Sequence, residues 1–259
     1  MAHEYGNEKR VVNAVIAQWI GKRETQEDAY AVKHFPTGIL AVVCDGMGGH
    51  QFGALASRTA VRAFVQCFAE EQNGPVSERL QAALYAANDA VKKEFDKYGA
   101  FGGTTLLAVY IGGGVMWWVS VGDSSLYIWR CGRLVRLNAD HSLREVYMQY
   151  VQAGSLTFAD AVNMGHTLRS AVTGEEISMI DAPPTPYPLL PGDRIVLTSD
   201  GSDDLLYVPA LSENVRAIFT QREKNLATEI VQACVALESP VADNVTVIGL
   251  DWQPVPCNP

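Results

Sequence analysis

Residues 103–137 constrain the fold more than any other part of the chain. GTTLLAVYI meets VMWWVSV across Gly112-Gly113-Gly114, and LYIWR meets RLVRL across Cys131-Gly132. Each segment is short and rich in β-branched and aromatic residues, and each pair is parted by a turn of two or three residues. That pattern predicts consecutive antiparallel hairpins in a meander. A parallel crossover needs about a dozen residues, so a doubly wound sheet is disfavoured.

The flanking sequence supplies the rest of an α+β domain. Residues 11–20 and 39–44 predict buried strands, and 193–199 and 244–250 predict two further strands. Val61, Phe64, Val65 and Phe68 share one helical face, and Leu80, Leu84, Ala87, Val91 and Phe95 make a second. Residues 141–167 predict a partly polar helical segment with Leu143, Val146, Tyr147, Tyr150 and Val151 on one side. Leu226, Ile230, Cys234 and Leu237 mark another helix. Runs of strands with paired helices predict an antiparallel sheet system covered by helices. With no linker in view, residues 1–250 form one domain, and the Pro-rich 251–259 is expected to be a loose tail.

Charge and cysteine usage narrow the function classes. A formal charge of −9 argues against nucleic acid or an anionic membrane as a partner, since both need a basic surface. Apolar runs are strand-sized, far short of the ~20 residues that span a bilayer. Five scattered cysteines without a C-x-x-C pair suggest neither a zinc site nor a disulfide framework. The segment MAHEYGNEKR is polar, without the apolar stretch of a leader, so a reducing cytoplasm is the expected location.

Against that background the placing of the acids stands out. Asp45 ends the strand ILAVVC and runs into Gly-Met-Gly-Gly. Asp200 ends another strand, Asp243 opens the last, Asp123 lies in the V-G-D-S turn, and Glu27-Asp28 precede a short strand. Asp-Gly is a favoured turn dipeptide, so each acid alone has a structural reading. Together, several carboxylates in one cleft would raise one another's pKa unless a cation were present. Oxygen-only ligation favours a hard ion such as Mg²⁺ or Mn²⁺.

The ordered set R-x-x-x-E-D (Arg23 to Asp28), D-G-M-G-G (Asp45 to Gly49), G-T-T (Gly103 to Thr105), G-D-S (Gly122 to Ser124), S-D-G-x-x-D (Ser199 to Asp204) and D-N-x-T (Asp243 to Thr246) resembles the metal-dependent protein phosphatase family, type 2C. D-G-M-G-G-H and the D-H-S at Asp140–Ser142 resemble its compact bacterial branch. The resemblance implies a four-layer α-β-β-α sandwich, two antiparallel β-sheets flanked by helix pairs. It implies phosphoserine and phosphothreonine hydrolysis by water activated at a binuclear Mn²⁺/Mg²⁺ centre, without a covalent intermediate, on phosphoproteins supplied by an opposing kinase. Asp45 would bridge the cations and the Gly46 carbonyl would bind one; Asp200 and Asp243 would complete the other's shell. Glu27 and Asp28 would act through water. Asp123 would help Asp200 hold a weaker third cation, and Arg23 would bind the phosphate.

Three positions depart from the family pattern. Met47 stands where many eukaryotic members carry a histidine, and the nearby His50 is read as a surface or supporting residue. Ser125 replaces the arginine of G-D-S-R, which puts the packing around Asp123 in question. Ser202-Asp203 replaces an apolar-first pair, with Asp203 expected as a solvated loop charge. His141 should position the flap-like segment 141–167, where substrate discrimination is expected. His3, His34 and His166 should be exposed, and Trp117, Trp118 and Trp129 should pack in or on the sheets. The rival readings are an inactive phosphoprotein-binding relative and a small-molecule phosphomonoesterase. An aspartyl-phosphate enzyme fits poorly, because Gly46-Met47 follows Asp45 where D-x-D is needed.

Overall fold

The computed structural model describes residues 11–48, 51–99, 101–208 and 210–253. In chain order these form β1 (Val11–Trp19), β2 (Ala29–Phe35), β3 (Gly38–Cys44), β4 (Gly46–Met47), α1 (Gln51–Glu70), α2 (Val76–Tyr98), β5 (Gly103–Thr104), β6 (Leu106–Gly112), β7 (Val115–Val121), β8 (Ser125–Arg130) and β9 (Arg133–Arg136). Then come α3 (Arg144–Gln152), α4 (Phe158–Met164), β10 (Tyr187–Pro188), β11 (Arg194–Thr198), α5 (Asp203–Leu206), α6 (Glu213–Thr220), α7 (Leu226–Ala236) and β12 (Val245–Gln253). One five-stranded sheet runs β1-β12-β11-β8-β9 and the other β10-β7-β6-β3-β2. Every pairing is antiparallel.

Strand parity divides the core into three layers. On β3, Leu40, Val42 and Cys44 face α1 and α2, whereas Ile39, Ala41 and Val43 face the opposite sheet. On β8, Leu126 and Ile128 enter the space between the sheets, while Tyr127 and Trp129 pack under α6 and α7. A strand buried on both faces must be apolar at every position, which is why ILAVVC reads as an unbroken run. The helix stripes fall where expected. Phe64 and Phe68 of α1, and Leu84, Val91 and Phe95 of α2, are buried. The result is the expected α-β-β-α sandwich. Trp118 lies between the sheets and Trp129 stacks on Phe219. No helix among the described residues is long and apolar enough to cross a membrane.

Four expectations need correction. The meander is broken in the middle: β6–β7 and β8–β9 are hairpins, but they lie in different sheets. Gly122-Asp123-Ser124 is therefore the step from one sheet to the other. Gly122 has φ +100°, and a side chain there would also strike Thr105. The supposed tail is ordered through Gln253, with Trp252 buried and residues 11–19 paired along 245–253. Only 254–259 of the expected tail lies outside the described residues, as do His3 and His50. In α3 the fully buried side chain is Arg144, whereas Tyr150 of the predicted apolar side is 51% exposed. Leu237, counted in one helix with Leu226, Ile230 and Cys234, caps α7 and is exposed.

Candidate active site

The six motifs meet where strands from both sheets end. Asp45, between β3 and β4, is held through its backbone. Its N–H donates to Thr105 Oγ1 at 2.9 Å, and its carbonyl accepts from Thr105 N–H and Thr104 Oγ1, each at 2.8 Å. The Thr105 hydroxyl is 2.7 Å from that of Ser124. G-T-T thus joins D-G to G-D-S through the Asp45 backbone, and the Asp45 side chain takes no part in that joint. Gly46 is needed for packing, because a Cβ there would run into the carbonyls of Gly53 and Glu27.

The other strand ends are tied in the same way. Asn244 accepts from Glu27 N–H at 2.7 Å and donates to the carbonyls of Ile20 and Thr25 at 2.8 and 3.1 Å. D-N-x-T therefore fastens the loop carrying Arg23 and Glu27. Ser199 and Thr246 hydroxyls both donate to Asp28 Oδ2 at 2.7 Å. Asp28 is 4% exposed and stands behind the cleft, joining the starts and ends of three strands. Arg23, Glu27, Asp45, Gly46, Asp123, Asp200 and Asp243 all line one cleft of about 780 Å³. Arg23 Nη2 donates to Asp243 Oδ2 at 2.6 Å on its rim.

The cleft is electrostatically costly without a cation. Burial, then Asp28 and Asp200, push the Asp45 carboxyl well above its ordinary range. Burial, Asp200 and Asp203 do the same to Asp123, and burial and Asp200 raise Asp243. Burial pushes Asp28 up to about 7 against its two hydroxyl donors. Asp200 alone of these is lowered: burial opposes its charge, but hydrogen bonds from His166 and Asp45 outweigh it.

Several residues of this site escaped the sequence reading. Asp203, expected as a solvated loop charge, is 3% exposed, lines the cleft and pairs with the fully buried Arg144 at 2.6 Å. Burial still holds its pKa up near 6. Arg136 donates to the Asp123 carbonyl at 2.9 Å and to Asp140 Oδ2 at 2.8 Å. Arg136 and Arg144 thus supply cations beside Asp123, where the family arginine at position 125 is missing. The paired signal was present: an arginine lost from G-D-S-R, a carboxylate gained after S-D-G. Removing Asp203 alone leaves the buried Arg144 with only Asp140, at 3.5 Å, as a carboxylate partner, so Asp203→Ala is expected to cost about 3 kcal/mol in urea unfolding. The double variant Arg144→Met, Asp203→Leu should cost clearly less. His166 is exposed as expected, but it faces Asp200 Oδ2 at 3.7 Å, and that carboxylate raises its pKa. His141 accepts from Gly122 N–H at 3.3 Å, tying the crossover turn to the start of segment 141–167. His34 is exposed.

The donor set fits a hard divalent cation. It consists of carboxylate and carbonyl oxygens that repel one another, and Asp200 Oδ1 and Asp28 Oδ1 are buried without a hydrogen-bond partner. Among the described residues no group of three or more Asp, Glu, His or Cys side chains is placed, as it stands, to hold a metal ion. A cation here would complete its shell with water, as Mg²⁺ commonly does.

A sandwich of two antiparallel sheets, with an all-oxygen acidic cleft at their joined ends, defines a class that other proteins share. The profile of the family Protein phosphatase 2C matches residues 18–237. The serine/threonine protein phosphatase PstP of Mycobacterium tuberculosis is 32% identical over 221 residues, 82% of this chain and 40% of that protein. The serine/threonine phosphatase stp of Listeria monocytogenes is 28% identical over 193 residues, 71% of this chain and 75% of that one. The crystal structure of M. tuberculosis PstP/Ppp superposes with a TM-score of 0.74 at 27% identity, covering 93% of this chain and 99% of that one. The PstP catalytic domain in complex with two manganese ions gives 0.72 at 27% identity, covering 94% and 99%. This chain belongs to the protein phosphatase 2C family. It spans 40% of the length of PstP, the first of these relatives.

Proposed function

We propose that this chain is a serine/threonine phosphoprotein phosphatase that uses two Mn²⁺ or Mg²⁺ ions, with a weaker third, and opposes a Ser/Thr kinase in the cytoplasm. The observation that carries the reading is the convergence of six separate motifs on one cleft whose charged donors are mutually repelling carboxylates. The names of the relatives supply the substrate class. The cysteines at 44, 67, 131 and 234 are free, in keeping with a reducing compartment.

Asp45 would bridge the two ions, Gly46 would offer its carbonyl to one, and Asp200 and Asp243 would hold the other. Asp123 would join Asp200 at the third. Glu27, on the cleft wall, is better placed than the buried Asp28 to act through water; Asp28 then acts mainly by fixing strand ends. The bound ions supply Lewis-acid charge and lower the pKa of water. Arg23 presents a planar fork at the rim, suited to two phosphate oxygens. A covalent cysteine route is disfavoured: Cys234 lines the cleft, but burial pushes its thiol up to about 12.

The test is phosphate release from a chromogenic phosphomonoester and from a phosphothreonine peptide, with Mn²⁺, with Mg²⁺ and with chelator. Cation-dependent release that favours the peptide is the expected result. Turnover of the small ester alone would replace the reading by a small-molecule phosphomonoesterase. No turnover by folded, Mn²⁺-saturated protein would leave a phosphoprotein-binding module.

A further inference from the structure

A second cavity, of about 590 Å³, opens between the β8–β9 hairpin, the flap helix α4 and the segment from α5 to α6. Leu134, Val135, Phe158, Leu206, Val208 and Leu211 make its walls apolar. Arg133, Arg136 and Arg216 also line it, and among the described residues no Asp or Glu does. In a chain of charge −9 this is a local reversal of sign. Val135 and Val208 are among the exposed large hydrophobic residues of the molecule. Tyr127 lines the cavity too. It is 4% exposed, and its hydroxyl is buried without a well-formed hydrogen bond, Ser125 being a weak polar neighbour.

We propose that this cavity is a binding site for a small amphiphilic anion: an aromatic body carrying one carboxylate or sulfonate. The volume falls in the range of roughly 300–1,000 Å³ usual for small-molecule sites. The apolar walls suit a ring system, and the arginines suit its anionic end. Arg216 is exposed and bonded only to the carbonyls of Gly132 and Leu211, at 3.3 and 3.4 Å, among the described residues. Its remaining N–H groups can turn to an anion.

The wall between this cavity and the acidic cleft is the arginine pair described above. Arg136 faces the cavity and holds the Asp123 carbonyl. Tyr207 lines the cavity and its ring lies 4.7 Å from the Arg144 guanidinium, which pairs with Asp203 in the cleft. An anion competing for Arg136 would loosen its hold on Asp123, so occupancy should alter turnover in the cleft. That second step rests on the phosphatase reading; binding itself does not.

The probe is 2-naphthalenesulfonate, titrated calorimetrically into the full chain beside its uncharged counterpart 2-naphthalenemethanol. One site per chain is expected, with the alcohol weaker by about tenfold or more, the loss of one charge-assisted hydrogen bond. Ala210→Trp, which fills the cavity, should abolish binding, and Arg216→Ala should weaken it by about tenfold. Both variants should keep the wild-type melting transition and cation-dependent hydrolysis. Equal affinity for sulfonate and alcohol would overturn the proposal. So would unchanged affinity in both variants, or no binding at millimolar probe, including the case where only an acidic peptide is captured.

Discussion

Replacing Asp45 by alanine is expected to cut cation-dependent phosphomonoester hydrolysis by about 10³-fold or more, while the metal-free protein becomes no less stable. The two readouts separate because the residue does two unrelated things. Its backbone N–H and carbonyl make the bonds to Thr104 and Thr105 that hold β4 and β5 in place, and alanine keeps all of them. Its side chain contributes only a carboxyl driven far above its normal pKa by burial, Asp28 and Asp200. Deleting that carboxyl would relieve the crowding of buried acids in the unloaded protein and, on the proposed function, would remove a cation ligand from the loaded one. Steady-state kinetics with saturating Mn²⁺, beside urea unfolding in chelator, would test both halves. Residual turnover within about tenfold of wild type would show that Asp45 is not the bridging ligand. A large loss of apo stability would show that its role is structural.

Much of this site was legible because its motifs are backbone devices. Gly46 and Gly201 must be glycine, since a Cβ at either would run into neighbouring carbonyls, those of Gly53 and Asn244 respectively. Thr105, Asn244 and Thr246 are required by the bonds they make to other motifs. Such demands leave fixed letters in fixed order. The sheets were legible for a similar reason: two-residue turns such as Cys131-Gly132, with φ of 51° and 76°, permit little else. What stayed hidden depended on contacts between distant segments. Nothing local separates a hairpin joined to the next hairpin from one that crosses to another sheet, so the step at Gly122–Ser124 read as meander. A buried Arg144 looks like a surface residue until Asp203, 59 positions away, is brought to 2.6 Å. Ser125 marked a missing cation without saying where its replacements lay.

The same carboxylates predict that the metal-free protein loses stability as pH rises, contrary to the usual behaviour of salt-bridged acids. Asp28 is raised from 3.8 to about 7 and Asp203 to about 6, with Asp45, Asp123 and Asp243 also raised. A carboxyl whose folded pKa exceeds its unfolded value binds its proton more tightly when folded. Its contribution is complete below the unfolded pKa and is lost as pH climbs through the folded one. Asp200 and Asp140, being lowered, act in the opposite sense, but they are two groups against five. For Asp28 alone the swing between about pH 4 and pH 7 is of order 4 kcal/mol. Bound Mn²⁺ should reverse the trend, because cation and proton compete for the same oxygens. Calorimetry in chelator should therefore give a lower Tm near pH 8 than near pH 5.5, and the gain on adding Mn²⁺ should be larger at the higher pH. Asp28→Asn keeps the oxygen that accepts from Ser199 and Thr246 but cannot titrate, so it should flatten the apo slope whatever it does to Tm itself. A Tm indifferent to Mn²⁺ at both pH values would mean that these carboxylates do not form a cation site. An unflattened slope in Asp28→Asn would mean that the titration lies in other groups.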